Sequence, residues 1–252
     1  MKMEYKTISL ADRVFDQLEH NILNGTYARG EIISEKRLTQ ELGVSRTPIR
    51  EALNRLMAED LIEESTNGTV VLGMTFDDVS DIYEVKRRVE VLATRRAAIH
   101  ITDDQLEEMK EIIEKQEFYA QKSDTDKVRD LDTEFHDLLY VASKSRVLKR
   151  ILQPLHHKLM RYRKASLEQT EKRLMESIAE HHQIMDALAD HDGDKVETLM
   201  QMHIEHAYKG VLQSYEILAK RKEEERKQAA GIVEGEEYWD LPLHRKSLRN
   251  IW

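Results

Sequence analysis

The stretch SEKRLTQELGVSRTPIREALNRLM at residues 34–57 carries the strongest fold signal in the chain. Its first part has the apolar spacing of a short helix and ends at Gly43, a residue type favoured at helix ends because it adopts left-handed backbone angles without strain. Ser45 can begin a second helix, since a serine side chain accepts hydrogen bonds from first-turn N–H groups. Two helices joined by so short a turn predict a helix-turn-helix.

The start of the second predicted helix carries side chains suited to DNA. Hydrogen-bond donors for phosphate oxygens and base edges are offered by Ser45, Arg46, Thr47 and Arg50. With Ser45 as N-cap, the first-turn N–H groups point toward a phosphate, which the helix dipole also favours. Pro48 falls in the same turn, where a missing N–H costs nothing. These positions predict a recognition helix for the major groove.

The flanking sequence completes a winged helix-turn-helix. Apolar residues at helical spacing predict a helix over 8–24, and strand-like runs at 61–65 and 69–72 surround a turn at Thr66-Asn67-Gly68. Three helices followed by a hairpin predict a DNA-binding domain over residues 1–73. Asn67 at the wing tip has two interpretations, a minor-groove contact or an ordinary turn residue.

Composition and charge agree with a helical protein that binds specific DNA. The chain has 252 residues with nine glycines, three prolines and 6% aromatic residues, which favours mostly helical structure in one or two domains. A net charge of −9 argues against nonspecific coating of nucleic acid. Between Lys36 and Arg55, however, basic residues outnumber acidic ones. A small positive face of this kind favours salt-sensitive, specific binding.

Three further features of the sequence indicate where in the cell the protein is located. Cysteine is absent, which excludes disulfides and thiolate metal ligands. No apolar run reaches the roughly 18 residues of a transmembrane helix. The start, MKMEYKTISL, lacks the apolar core of a secretion signal. We therefore expect a cytoplasmic protein with no membrane partner.

From residue 76 the pattern is helical almost to the end of the chain. Helices are predicted at 77–100, 103–121, 126–143, 145–164, 171–191 and 194–228. They predict an all-α six-helix domain over residues 76–219, so that the whole chain is mainly α. The remaining segment, 220–252, starts as a charged run and continues with apolar residues such as Tyr238 and Trp239. It either packs on this domain or a dimer partner, or forms a disordered extension.

Two predicted helices direct a histidine toward the core. His181 lies within the apolar stripe of helix 171–191, whereas His182 points off its edge. His203 lies within the stripe of the last helix, whereas His206 lies outside it. Periodicity therefore selects His181 and His203 as inward-facing imidazoles.

A third predicted helix adds a carboxylate and another imidazole. Asp132 and His136 flank the inward face of helix 126–143 one turn apart, so both can reach one point. Burial of four such groups near one another is costly unless they share a cation or a network. Three imidazoles and one carboxylate suit Zn²⁺ or Ni²⁺, with Mn²⁺ and Fe²⁺ as alternatives. A separate hydrogen-bonded histidine in each helix is the competing interpretation.

The N-terminal motif resembles a known family of bacterial transcription regulators. GTYARGEIISEKRLTQELGVSRTPIREALNRLMAEDLIEESTNGTVV is similar to the DNA-binding domain of the GntR family, and the resemblance covers residues 8–73. It implies DNA contacts at Lys36, Ser45, Arg46, Thr47, Arg50 and the wing-tip Gly68. Lys36 stands where the family often has arginine, and a lysine cannot make the same bidentate guanine contact. We therefore expect Lys36 to contact phosphate.

The helical half resembles the FCD effector domain of the FadR-like branch of this family. The motifs are DIYEVKRRVEVLATRRAA, LDTEFHDLLYVAS and EHHQIMDALADHDGDKVETLMQMHI, within residues 76–215. Metal-containing members have their ligands at positions that correspond here to Asp132, His136, His181 and His203. At the position of Lys86 the family often has an arginine that faces the acid ligand. Effector binding is therefore expected of Lys86, Arg87 or Arg88.

The resemblance implies a ligand-controlled transcription factor rather than an enzyme. We expect a homodimer, in most relatives a repressor, that binds double-stranded operator DNA and responds to a small carboxylate at or near the metal. Two alternatives stay open: a regulator for which the metal itself is the signal, and a metal-dependent phosphohydrolase. The pairs His136-Asp137 and His191-Asp192 superficially suggest the latter. Against it, Asp137 and Asp192 do not share the inward face of their histidines.

Overall fold

The computed structural model describes residues 9–66, 68–166 and 171–229. By its internal contacts the chain divides into two compact units, Met1–Tyr215 and Glu216–Trp252. The predicted wing-tip residue Asn67 and the apolar segment that contains Tyr238 and Trp239 lie outside the described residues.

The N-terminal part consists of helices and a small antiparallel sheet. Its elements are α1 (Leu10–Leu23), β1 (Ile32–Ile33), α2 (Glu35–Leu42), α3 (Arg46–Ala58), β2 (Ile62–Ser65) and β3 (Gly68–Val71). The strand order is β1-β3-β2, with Ile62 opposite Val71 and Ile32 opposite Val70. The predicted winged helix-turn-helix is confirmed. Strand β1 was not predicted, because two residues are too short to show an alternating pattern.

Local chemistry explains where the helices of the motif begin and end. The Ser34 hydroxyl caps α2 by accepting a hydrogen bond from the Arg37 backbone N–H. Gly43 ends α2 in the left-handed conformation, with φ 65°. Ser45 is the N-cap residue of α3, as predicted, but its exposed hydroxyl makes no capping hydrogen bond within the described residues. That hydroxyl therefore faces solvent at the start of α3.

The C-terminal part is all α. Its helices are α4 (Phe76–Val85), α5 (Val91–His100), α6 (Asp103–Gln121), α7 (Thr125–Ala142), α8 (Arg146–Ser166), α9 (Glu171–Ala189) and α10 (Gly193–Ala229). Each of the six predicted helices corresponds to one of these, except that the first is divided into α4 and α5 by a π-helical turn at Lys86–Glu90. Such turns are often found at functional sites. Among the described residues, no helix is both long and apolar enough to cross a membrane.

Helix α8 connects the helical part to the DNA-binding part through charged side chains. Arg161 Nε lies 2.6 Å from Glu19 Oε1 of α1, and the same guanidinium contacts Glu59 at the end of α3. Lys158 Nζ donates to the Glu59 carbonyl oxygen at 2.5 Å. The end of α3 is therefore tied to α8.

Glu19 makes this junction sensitive to pH. The side chain is buried, and this burial raises its pKa from 4.5 to about 7 despite the attraction of Arg161. The folded protein keeps a proton that the unfolded chain releases, so Glu19 contributes stability below pH 4.5 that is lost as pH rises to about 7.

We expect Glu19→Gln to flatten the pH dependence of stability between about pH 5 and 8, by on the order of 2–3 kcal/mol. Glu51→Gln, which changes an exposed carboxylate of the same part, should leave the dependence unchanged. Urea unfolding of the three proteins at several pH values measures this difference. Parallel stability curves for wild type and Glu19→Gln would contradict the assignment.

Candidate functional site

The predicted DNA-binding side chains lie at the exposed start of α3 and on α2. Lys36, Ser45, Arg46 and Thr47 are all exposed. Arg50 is exposed as well, but its Nε donates to Glu35 Oε1 at 2.8 Å. Because a surface ion pair of this kind contributes only about 0–1 kcal/mol, a DNA phosphate or base can replace the Glu35 carboxylate.

Gly68, the predicted wing contact, has a steric role in the sheet. Its φ is +133°, and a Cβ atom at this position would lie 3.0 Å from Ile32 Cγ2 and 3.1 Å from the Ile33 carbonyl oxygen. Glycine is therefore needed for β1 to pair with the wing. A DNA contact at Gly68 stays a prediction.

The four residues predicted to bind a metal line one cavity in the helical part. Asp132, His136, His181 and His203 are all in the wall of this cavity. His136, His181 and His203 each offer a nitrogen, and these atoms lie within 4.8 Å of one another. Asp132 Oδ1 is 3.6 Å from His181 Nε2. The fold thus brings together side chains from three helices, while metal ligation by them stays a prediction.

Each of the three imidazoles is held through its Nδ1 atom. The contacts are His136 Nδ1 to Glu90 Oε1 at 2.7 Å, His181 Nδ1 to Gln116 Oε1 at 3.0 Å and His203 Nδ1 to Glu180 Oε2 at 2.7 Å. All three partner atoms are acceptors, so each Nδ1 carries the proton and each Nε2 keeps a lone pair. This arrangement is typical of metal-binding histidines.

The residues present fit a divalent cation. His181 Nε2 is buried without a hydrogen-bond partner among the described residues, which leaves a lone pair available at the cavity. Burial and the neighbouring imidazoles lower the pKa of His181 and burial lowers that of His203, so both stay neutral. Although burial opposes ionisation, His156 and the other imidazoles hold the pKa of Asp132 well below its usual value. Neutral imidazoles with one carboxylate are a donor set for Zn²⁺ or Ni²⁺.

Glu90, which lies behind the cavity wall, was not predicted from the sequence. It is fully buried in the π-helical turn, accepts a hydrogen bond from the Tyr140 hydroxyl at 2.6 Å and lies 2.6 Å from Lys86 Nζ. Its carboxylate also fixes His136. Helical spacing from the buried Val79 was a signal that could have identified it.

His156, also not predicted, differs from the other three histidines. Its Nδ1 lies 3.0 Å from Lys86 Nζ, and an ammonium group can only donate. Nδ1 is therefore the acceptor, and Nε2 carries the proton toward Asp132 Oδ2 at 3.6 Å. Burial and the Lys86 charge lower the pKa of His156 to about 3, so the ring is neutral. Helical spacing from the buried Leu152 and Leu159 was a signal that could have identified it.

The expectation for effector-binding residues needs a correction. Lys86 lines the cavity, but Arg87 donates to Glu84 and Glu205 and lies over the Tyr208 ring. Arg88 is 74% exposed and pairs with Glu84. Successive side chains of a helix point in different directions, so the neighbours of an inward Lys86 face away from the cavity.

A winged helix-turn-helix joined to an all-α domain is an architecture found in transcription regulators. Residues 10–71 match the gntR family of bacterial regulatory proteins, and residues 81–206 match the FCD domain. The chain therefore belongs to the GntR family, with an FCD domain as in the FadR-like branch.

Individual relatives agree with this assignment. The Bacillus subtilis transcriptional regulator YdhC is 36% identical over 146 residues, which cover 55% of this chain and 63% of that protein. The gluconate operon transcriptional repressor of Bacillus licheniformis is 32% identical over 127 residues, 50% of this chain and 52% of that protein. The chain thus matches about half to two thirds of the length of these two relatives.

Solved structures share the fold. Escherichia coli McbR/YncC superimposes with a TM-score of 0.65 at 22% identity, over 83% of this chain and 100% of that one. The family and the relatives are transcriptional regulators rather than enzymes, which argues against the phosphohydrolase interpretation.

Proposed function

We propose that this chain is a transcriptional repressor whose operator affinity is controlled by a small carboxylate bound at or near a divalent metal in the helical cavity. The convergence of Asp132 with three Nδ1-fixed imidazoles supports it most directly. The Bacillus licheniformis relative is named for a gluconate operon, and gluconate is a carboxylate.

The cavity residues have distinct roles in this proposal. His136, His181, His203 and Asp132 would hold Zn²⁺ or Ni²⁺, with Mn²⁺ and Fe²⁺ as alternatives. A metal bound there supplies a Lewis-acidic position for a carboxylate oxygen. Glu90 orients His136 and neutralises the charge of Lys86.

Helix α8 offers a route from the cavity to the recognition helix. His156, Leu159 and Met160 line the cavity, and Lys158 and Arg161 of the same helix contact the DNA-binding part. A ligand in the cavity that changes the position of α8 also changes the contacts that α8 makes with the end of α3. The effector controls DNA binding only if it binds one arrangement more tightly than the other.

A homodimer is part of the proposal, because a two-fold protein fits a palindromic operator with half-sites about one helical turn apart. Exposed apolar side chains on α5 and on the adjoining ends of α7 and α8 support a surface for a second copy. They are Leu92, Ile99, Val141, Val147 and Ile151. Arg96 Nε donates to the Ser143 carbonyl oxygen and so ties α5 to the end of α7.

We expect Val147→Glu to convert the dimer to a monomer, since the side chain is 67% exposed and a charge there would be buried between two copies. Met175→Glu, at another exposed apolar position, is the control and should stay dimeric. Sedimentation velocity measures the mass of each variant. A monomeric wild type would remove the dimer from the proposal.

The test of the whole proposal is operator affinity as a function of metal and acid. DNA selected by the full-length protein from a random pool serves as operator, and fluorescence anisotropy gives its Kd with gluconate, acetate or no acid, before and after chelation. The proposal expects an acid to lower affinity only in the metal-loaded protein. Affinity that follows the metal and ignores every acid would favour the metal-sensing alternative instead.

A further inference from the structure

The cavity wall contains buried polar atoms that have no hydrogen-bond partner among the described residues. Besides His181 Nε2, they are Tyr83 Oη, Gln116 Nε2, Arg129 Nε and His156 Nε2. A buried polar atom without a partner is destabilising, so several of them around one cavity point to a ligand that supplies the partners.

The four unpartnered atoms other than His181 Nε2 are hydrogen-bond donors. Gln116 Oε1 accepts from His181, which leaves its amide nitrogen to donate. His156 Nε2 carries the ring proton because Nδ1 accepts from Lys86. Burial raises the pKa of Tyr83, so its hydroxyl keeps a proton at neutral pH. Arg129 Nε can only donate. A ligand that satisfies these atoms must therefore present acceptors.

The charges of the wall favour an acceptor that is also an anion. Lys86 is balanced by Glu90, and Arg173 is balanced by a bidentate contact with Glu180. Arg163 also lines the cavity, and its Nη1 contacts the Met160 sulfur, which is uncharged. The Asp132 carboxylate also lies in the wall and offsets this charge, so Arg163 together with the divalent metal of the proposed function favours a negatively charged ligand over a neutral one.

From these contacts we infer that Tyr83, Gln116, Arg129 and His156 form the subsite that recognises the acid group of the effector, and that His156 is a hydrogen-bond donor to it rather than a metal ligand. This inference rests on the proposed function, because the bound acid is taken to be the effector. The occupant class is a small organic acid; neutral amides and sugars lack the charge that the subsite selects.

Tyr83→Phe is the sharpest variant, since it removes only a hydroxyl that bonds to nothing in the part of the chain that the structure describes. Full-length protein is titrated by calorimetry, without DNA, with acetate and malonate, each compared with its neutral amide. We expect acids to bind and amides not to bind. Tyr83→Phe should weaken acid binding about tenfold without lowering the melting temperature. Tyr208→Phe is the matched control, because its hydroxyl contacts Ser80, and acid affinity should be unchanged.

His156 is tested by two substitutions and one spectroscopic measurement. His156→Leu should weaken acid binding and keep the wild-type metal content, whereas His156→Gln retains an N–H donor and should restore most of the affinity. If His156→Leu does not fold, ¹⁵N NMR of the wild-type imidazoles decides, with the proton expected on Nε2 of His156 and on Nδ1 of His136, His181 and His203.

Several results would overturn the inference. They are equal binding of acids and amides, unchanged acid affinity in Tyr83→Phe, loss of metal in His156→Leu, or a proton on Nδ1 of His156. Acid binding that depends on Tyr83 but leaves operator affinity unchanged would instead refute the proposed function and leave the subsite intact.

Discussion

Purified His181→Ala protein is expected to contain only traces of metal, whereas His182→Ala should contain the same amount as the wild type. His181 is fully buried, and its Nε2 lies within the cavity beside Asp132. His182 Nε2 contacts Glu117 Oε1 at 2.9 Å on the outer side of α9. Loss of one of four ligands leaves the coordination shell incomplete and weakens metal binding.

The measurement is elemental analysis of protein purified without added metal and after reconstitution with Zn²⁺ or Ni²⁺. Wild type should contain about one metal ion per chain. Circular dichroism of both variants shows that they remain folded. Metal absent from His182→Ala and present in His181→Ala would mean that the inward face of α9 is wrongly assigned.

Arg46→Ala should lower operator affinity about 10- to 100-fold, because a base or phosphate contact of an arginine is worth roughly 1–3 kcal/mol. Arg46 is exposed at the first residue of α3. Arg55→Ala is the matched control on the same helix, since its guanidinium contacts Asp12 at 2.8 Å and lies over the Phe15 ring. That variant should keep wild-type affinity.

Anisotropy titrations at several salt concentrations show whether Arg46 binds a phosphate or a base. If Arg46 binds a phosphate, Arg46→Ala reduces the salt dependence of operator affinity. If Arg46 binds a base edge, the same substitution lowers affinity at all salt concentrations and relaxes sequence specificity. Equal operator affinity of wild type and Arg46→Ala would refute the assignment of α3 as recognition helix.

Features that depend on local sequence were predicted well. Gly43 and Ser45 mark the helix ends of the motif because backbone conformation and capping act over only a few residues. The choice of His181 over His182 as the buried residue was equally accessible, since α9 is regular and its apolar stripe defines the phase.

Features that depend on distant contacts were not predicted. Arg37 has the charge of a DNA contact, yet it pairs with Glu31 and Glu41 within the domain. Nothing in the local pattern distinguishes such an arginine from one that reads DNA. Glu180, which holds His203 and His206, is likewise identified only when α9 and α10 are packed together.

The π-helical turn at Lys86–Glu90 has a consequence for comparing this chain with its relatives. A π-helical turn contains one residue more than an α-helical turn. The extra residue shifts the angular positions of all later side chains by about 100° relative to a regular α-helix. A relative with an uninterrupted helix therefore has one residue fewer between the same two spatial positions. Aligned without a gap, Lys86 would be matched to a residue on another side of that helix, so residues around the cavity should be compared between such relatives by superposition of structures.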